Sequence, residues 1–264
     1  MGERSEPQFI TDRPGIYSAD RSLIAYPQSG QTYIERIGGE RWVAPSEGRA
    51  LAFSPDGTRI AWQVASSSAN FDRRAVEVWA ANVDGSEARV VIRLIGGGFS
   101  AWFTDGVRLL VSGRESPDDD PFLAAVHLAD GSLTPIVRGP QLRGSRLSPA
   151  GGWLVYQVAF SGDPNADGLW VVRTDGSGNW RLEVYGAYRW RAEGRLLMIP
   201  LEPGAASQRL LEIDAASGQV RALTDPAVTP FRIAGGDWAL SPEGNRVAFV
   251  SADDHNIWLI ELTP

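Results

Sequence analysis

The chain has 264 residues, 43% of them hydrophobic and 22% charged, with a formal net charge of -7 and no cysteine. This balance excludes a disordered tail of low hydrophobicity, and the absence of a basic stretch excludes a surface built to track the phosphates of nucleic acid. The lack of thiols removes disulfides, thiolate nucleophiles and cysteine zinc sites, and no run of about 18 apolar residues offers a membrane span.

Ten Trp beside 29 Gly and 17 Pro suit many short strands joined by tight turns, with aromatic packing between layers. The opening Met1 to Pro7 lacks the apolar centre of a signal peptide. An exported protein would therefore have lost its leader, and a module cut from a larger protein would read the same way.

From Ile16 onward the chain repeats itself. IYSADRSLIAY from Ile16 is followed by LAFSPDGTRIAW from Leu51, AWFTDGVRLLV from Ala101, RLSPAGGWLVY from Arg146, RWRAEGRLLMI from Arg189 and ALSPEGNRVAF from Ala239. Each is an apolar strand, a tight turn and a second alternating strand. Each copy also carries a large apolar residue just before its turn: Tyr17, Phe53, Trp102, Leu147, Trp190 and Leu240. These six form a predicted core column.

A second series of turns follows, at Gly39, Gly85, Gly131, Gly176 and Gly218, spaced by 46, 46, 45 and 42 residues. Such spacing matches the roughly 40 to 45 residues of a four-stranded propeller blade. Glycine suits these turns because it tolerates positive φ, and the Asp before it bonds to its own backbone. A β-sandwich would also show alternating strands, but it has no need of six similar copies.

The sixth copy stops after its third strand, Ile257 to Ile260, and Gln8 to Asp12 resembles the fourth strand Arg221 to Asp225. The expected fold is thus all-β: one six-bladed β-propeller of four-stranded antiparallel blades, over residues 1–264. The blades run over 13–45, 46–95, 96–140, 141–185, 186–226 and 227–264, and the N-terminal strand 7–12 closes the ring by completing the last blade.

SPDGTRIAW followed by VWAANVDGS resembles the TolB-like propeller repeat, which also occurs in the propeller domains of prolyl oligopeptidase-type enzymes. The resemblance covers nearly all of Gln8 to Leu262, with departures at Ala19-Asp20-Arg21, Thr104-Asp105-Gly106 and Arg191-Ala192-Glu193-Gly194. It implies a ring with a central channel and with ligand-binding loops on one face, and a periplasmic or extracellular home. The companion domains of TolB and of the oligopeptidases have no room in this chain.

No Gly-x-Ser-x-Gly elbow is present for a serine hydrolase, and the only histidines are His127 and His255. The metal-dependent lyases and lactonases among related propellers gather several His, and two do not make such a centre. Asp163, Asn165 and Asp167 have the D-x-N-x-D-G spacing that opens a calcium loop, although Thr174 stands where an EF-hand places Glu. The competing reading is a turn shaped by Asx side chains.

Arg146 and Arg189 occupy the repeat position filled elsewhere by Ile16, Ala52, Ala101 and Ala239, with Tyr188 adjacent to Arg189. Together with Asp237 they form a candidate channel site for a carboxylate or phosphate, unless the arginines simply pair with Asp237, Glu193 or backbone carbonyls. Trp79, Trp170 and Trp258 recur on third strands and read as packing between blades. Phe99, Phe122, Phe160, Tyr185 and Phe231 are predicted in or beside the loops of one face, where they suit a protein or peptide partner. The function these features favour is a monomeric, non-catalytic binding scaffold; the alternative is a small-ligand or calcium-dependent channel site, with hydrolase or lyase activity included.

Overall fold

The computed structural model describes residues 14–67 and 70–262, and among them there is no α-helix. The chain divides into two compact units, residues 1–117 with 126–132 and residues 118–125 with 133–264.

In the first unit, β1 (Ile16–Tyr17), β2 (Leu23–Gln28), β3 (Gln31–Arg36) and β4 (Arg41–Val43) make a four-stranded sheet in chain order. The next strands, β5 (Leu51–Phe53), β6 (Arg59–Ala65), β7 (Ala75–Asn82), β8 (Arg89–Trp102) and β9 (Arg108–Arg114), pair successively in antiparallel fashion. β10 (Phe122–His127) and β11 (Leu133–Arg138) follow in the chain. In the second unit, β12 (Leu142–Leu147), β13 (Trp153–Val158), β14 (Gly168–Arg173) and β15 (Trp180–Arg181) form one four-stranded sheet. Another consists of β16 (Gly186–Ala192), β17 (Arg195–Pro200), β18 (Leu211–Asp214) and β19 (Val220–Ala222). The last sheet, β20 (Ile233–Leu240), β21 (Arg246–Ser251) and β22 (Ile257–Glu261), has three strands among the described residues. The predicted closing strand 7–12 lies outside the described residues.

One strand runs across a predicted boundary. The break set between residues 95 and 96 falls inside β8, whose first half pairs with β7 and whose second half pairs with β9. Its register shifts between Ile95 and Gly98, where Gly96 and Gly97 adopt φ of 65° and 63°. A Cβ on Gly98 would overlap Gln63 Oε1, which accepts the Phe99 N–H at 2.8 Å. Three glycines thus allow one strand to bulge and serve two meanders.

The middle strands carry the core because their residues are buried on both faces. Leu23, Ile34, Ile60 and Trp62 cluster in the first unit, while Val155, Val171, Leu196 and Met198 form one cluster of the second. A second cluster there joins Leu197, Leu210, Trp238 and Phe249. Each fully buried aliphatic or aromatic side chain contributes about 1.5–3 kcal/mol relative to exposure. The predicted core column is mostly half-buried, with Phe53 its most enclosed member. Two of its indoles bind an adjacent first strand: Trp102 Nε1 donates to Ala52 O at 3.1 Å and Trp190 Nε1 to Arg146 O at 3.2 Å. Trp79 and Trp170 stack on Trp62 and Tyr156, their direct cross-strand neighbours within one sheet, where packing between blades was expected. Trp258 departs from that expectation: it is 54% exposed, and its indole donates to Asp254.

The repeated turn works through its Ser and Asp. In the second copy Ser54 Oγ donates to Asp56 Oδ1 at 2.5 Å and accepts the Arg59 N–H at 2.9 Å, while Asp56 accepts from Thr58 N. Ser18 and Asp20 repeat the scheme in the first copy. In the fourth copy Ala150 stands where Asp56 would be, and the carboxylate comes from the fifth copy. Glu193 accepts from Ser148 Oγ at 2.9 Å, Ala150 N at 2.7 Å and Gly152 N at 3.1 Å. A Cβ on Gly152 would meet Glu193 Oε1 at 2.7 Å, so this glycine opens the way for it.

This borrowed carboxylate ties the β12–β15 and β16–β19 sheets together. Replacing Glu193 by Ala is expected to cost about 2 kcal/mol, because three donors lose an ionised acceptor. Adding Ala150→Asp in that background is expected to restore most of the loss. Thermal melting of the two variants checks it, and an Asp that restores nothing contradicts the assignment.

Candidate functional site

The first strands of the second unit carry the cationic site. Tyr188 and Trp190, on the same side of β16, reach back to β12: Tyr188 Oη donates to Gly144 O at 2.9 Å, and the Trp190 indole binds Arg146 O. Arg189, between them in sequence, turns the other way. Its Nη1 donates to Tyr188 O at 2.9 Å and its guanidinium lies over the Trp238 ring of β20, 4.8 Å from the centroid. Arg146 is exposed and Arg189 half-buried. Cation and aromatic side chains thus alternate along β12, β16 and β20 as Arg146, Tyr188, Arg189 and Trp238.

Electrostatics at this site are uncompensated. Burial lowers the pKa of Arg189 first, and the charge of Arg146 lowers it further. Burial raises the Tyr188 hydroxyl, against the opposing charges of Arg146 and Arg189. The Trp238 indole N–H is buried without an acceptor among the described residues.

The expected internal acids are engaged elsewhere or turned away. Glu193 caps the Ser148 turn, and Asp237 is exposed and bonds to neither guanidinium. Other arginines of this unit show the contrast. An open cavity of about 630 Å³ is lined by Arg191, Arg195, Arg221, Glu212 and Asp214. There Arg191 and Arg221 share Glu212 at 2.6 and 2.9 Å, while Arg195 sits 2.6 Å from Asp214.

The five predicted loop aromatics separate. Phe160 is 87% exposed and Tyr185 is 47% exposed. Phe122 and Phe231 are instead buried: Phe122 is enclosed within β10 under the Arg138 guanidinium, and Phe231 packs 5.5 Å from Phe249. Phe99 belongs to β8, half-buried, and is held by Gln63 and its pairing with Val111. Phe122 opens β10, whereas Phe231 stays in the segment before β20 and is buried there against Phe249.

Phe160 has φ of 61°, a left-handed conformation that a bulky residue rarely adopts. Close by, Tyr185 Oη accepts from Gln157 Nε2 at 2.8 Å, and Tyr185 O accepts from the N–H of Leu201, itself 68% exposed. The sequence reading missed Leu201; its place one residue after the apolar run Leu196 to Pro200 was the available signal.

The Asp163 loop forms a hydrogen-bonded turn. Asp163 Oδ1 accepts from Asn165 N at 2.9 Å, and Asp167 Oδ1 from Ser161 N at 3.0 Å. Hydrogen bonds from Ser161 hold the Asp167 carboxyl below its ordinary pKa. Arg181 Nε binds Asp167 O and Trp170 Nε1 binds Ala166 O, each at 2.8 Å. These bonds give the loop the form of an Asx turn. His127 Nδ1 accepts the Ala129 N–H at 3.2 Å, and His255 lies in the β21–β22 turn with φ of 58°.

No family model matches this sequence, and no curated protein does. Solved structures with a similar fold are all distant in sequence. A putative TolB from Agrobacterium tumefaciens is 18% identical, with a TM-score of 0.52 over 80% of this chain and 79% of that one. The β-propeller domain of the Trilobed protease from Pyrococcus furiosus gives 13% and 0.58 over 92% and 79%. An oligogalacturonate lyase from Vibrio parahaemolyticus gives 12% and 0.61 over 93% and 75%. At such identities the likeness concerns the fold, which is that of a β-propeller.

Proposed function

We propose that the chain is a six-bladed propeller of the TolB-like kind, closed by residues 7–12 along β22, and that it acts as a non-catalytic module binding a protein or peptide outside the cytoplasm. The six sequence copies and the three-stranded last sheet support the blade count and the closure. The observation that carries the binding function is Phe160, a large apolar side chain held almost wholly in solvent by a backbone conformation that costs free energy. Strain at an exposed aromatic fits a side chain that a partner covers, and Tyr185 and Leu201, bonded to each other and through Tyr185 to Gln157, add exposed apolar surface.

The contact is expected to be an apolar segment seated against Phe160 and Leu201, with Tyr185 offering its hydroxyl at the rim. Aromatic anchors of this kind contribute about 2 kcal/mol or more each, roughly a 30-fold change in affinity. Selection of binders from a displayed random-peptide library is the direct test. The selected peptides are expected to lose at least that factor against Phe160→Ala with Tyr185→Ala, while the melting temperature stays unchanged. Peptides that bind the double variant as tightly would place recognition elsewhere. Replacing Phe160 by Gly, which relieves the φ of 61°, is expected to stabilise the free protein while weakening binding, as a strained recognition residue requires.

A further inference from the structure

We propose that Arg146 and Arg189, the latter seated over the Trp238 ring, form an oxyanion-binding site, distinct from the loop contact, whose ligand presents a phosphate or a carboxylate group.

Four observations meet here. The repeat places a small or apolar residue at this position in the other copies, so two arginines in consecutive copies are a departure from what the fold needs. The bonds from Tyr188 to Gly144 O and from Trp190 to Arg146 O fix β16 against β12, so the backbones carrying both cations are held in register. Neither guanidinium has a carboxylate partner among the described residues; Arg191, Arg195, Arg209, Arg221 and Arg232 have one, whereas Arg143, Arg173 and Arg181 bind an amide oxygen, a ring and a carbonyl instead. Finally, the Arg189 guanidinium lies 4.8 Å from the Trp238 ring centroid, a contact that orients the cation without neutralising it.

An oxyanion supplies what all of these lack. It neutralises two like charges held on neighbouring strands, and it gives the planar guanidinium forks the acceptors they bind in pairs. The lowered pKa of Arg189, caused by burial and then by Arg146, is that of a cation waiting for a counter-charge. Tyr188 on the β12 side and Trp238 beneath Arg189 add aromatic surface near the cations, which favours a ligand whose anionic group is attached to an apolar or ring-shaped body.

Calorimetric titration tests the site with three probes at matched ionic strength: inorganic phosphate, citrate, and a short peptide with a free or an amidated C-terminus. Saturable heat from phosphate alone, or from citrate or the free-carboxylate peptide, supports the site and names its group. Arg146→Gln and Arg189→Gln are each expected to weaken binding at least about tenfold, and Arg189→Lys to keep part of it. Arg146 is exposed, so its variant folds; in anion-free buffer it is expected to melt slightly higher than the parent, because a repulsion has gone. No heat from any probe, or equal binding by the Arg146→Gln, Arg189→Gln double variant, overturns the proposal. The loop contact is judged separately, since neither arginine variant touches Phe160 or Tyr185.

Discussion

Replacing Glu212 by Ala is expected to destabilise the protein by about 3 kcal/mol, near the low end for breaking a buried ion pair. Glu212 accepts from Arg191 at 2.6 Å and from Arg221 at 2.9 Å, and its side chain is only 10% exposed, that of Arg191 13%. Burial pushes the Glu212 carboxyl up, yet the two arginines more than reverse it, so the group stays ionised below its ordinary range. Removing the carboxylate leaves the desolvated charge of Arg191 without its counter-ion, while Arg221 can turn to water. At about 2–4 °C per kcal/mol for a chain of this size, the melting temperature should fall by roughly 6–12 °C. Glu212→Gln keeps the acceptor oxygen and the shape, and is expected to cost about half as much. A Glu212→Ala protein that melts within a degree or two of the parent would show that water or other acceptors replace the carboxylate without loss.

The second large effect is expected at low pH. Asp20 and Asp254 are held at about 2, the first chiefly by the Ser18 hydroxyl and the second chiefly by the Asn256 backbone N–H. Asp56, Asp84, Asp130, Asp175 and Asp214 are lowered by the same kind of turn contacts. Each folded pKa lies below the unfolded value of about 3.9, so the unfolded chain binds more protons in that window. The stability these groups contribute is therefore complete above about pH 4 and is lost as the pH falls towards 2. Urea unfolding at a series of pH values should show midpoints that are flat near neutrality and drop steeply across this window. Asp56→Asn should make the drop shallower. A midpoint that holds steady down to the bottom of the window would mean that the turn carboxylates are not ionised through their Ser and backbone donors.

The repeat was the most legible part of the sequence, because one turn chemistry serves several sheets. Ser54, Asp56 and Gly57 each have a local task within a few residues, and local tasks leave a motif. Glu193 left none, since its three donors lie more than forty positions away in another copy; only the missing Asp at Ala150 hinted that a carboxylate had to come from elsewhere. The β8 bulge was hidden for a related reason. Three consecutive glycines have no side chain to pattern, and their role shows only in Gln63, on a different strand, which fills the space they leave.

The site was legible in its residue types and less so in its contacts. Arg146 and Arg189 stood out as cations in a small-residue position, and the structure keeps them together with Tyr188. Their expected internal partners did not follow, because Asp237 faces solvent and Glu193 is committed to a turn. Of the aromatics, Phe160 and Tyr185 reach the surface while Phe122 and Phe231 do not. Phe122 is enclosed as the first residue of β10 and Phe231 by packing on Phe249 from outside a strand, and nothing in the spacing of Gly and Pro distinguishes such residues from exposed loop aromatics. The Asp-Pro-Asn-Ala-Asp-Gly spacing reads as a cation loop or as an Asx turn with the same letters, and the backbone bonds of Asp163 and Asp167 are those an Asx turn requires.

The measurement that bears most directly on the binding function is hydrogen exchange of the protein with and without a selected peptide. Binding through Phe160, Tyr185 and Leu201 should slow exchange in residues 159–168, 184–187 and 201–204, and leave the Ser148 and Glu193 turns at the other ends of these strands unchanged. Protection centred on those turns, or spread over the first unit instead, would contradict it.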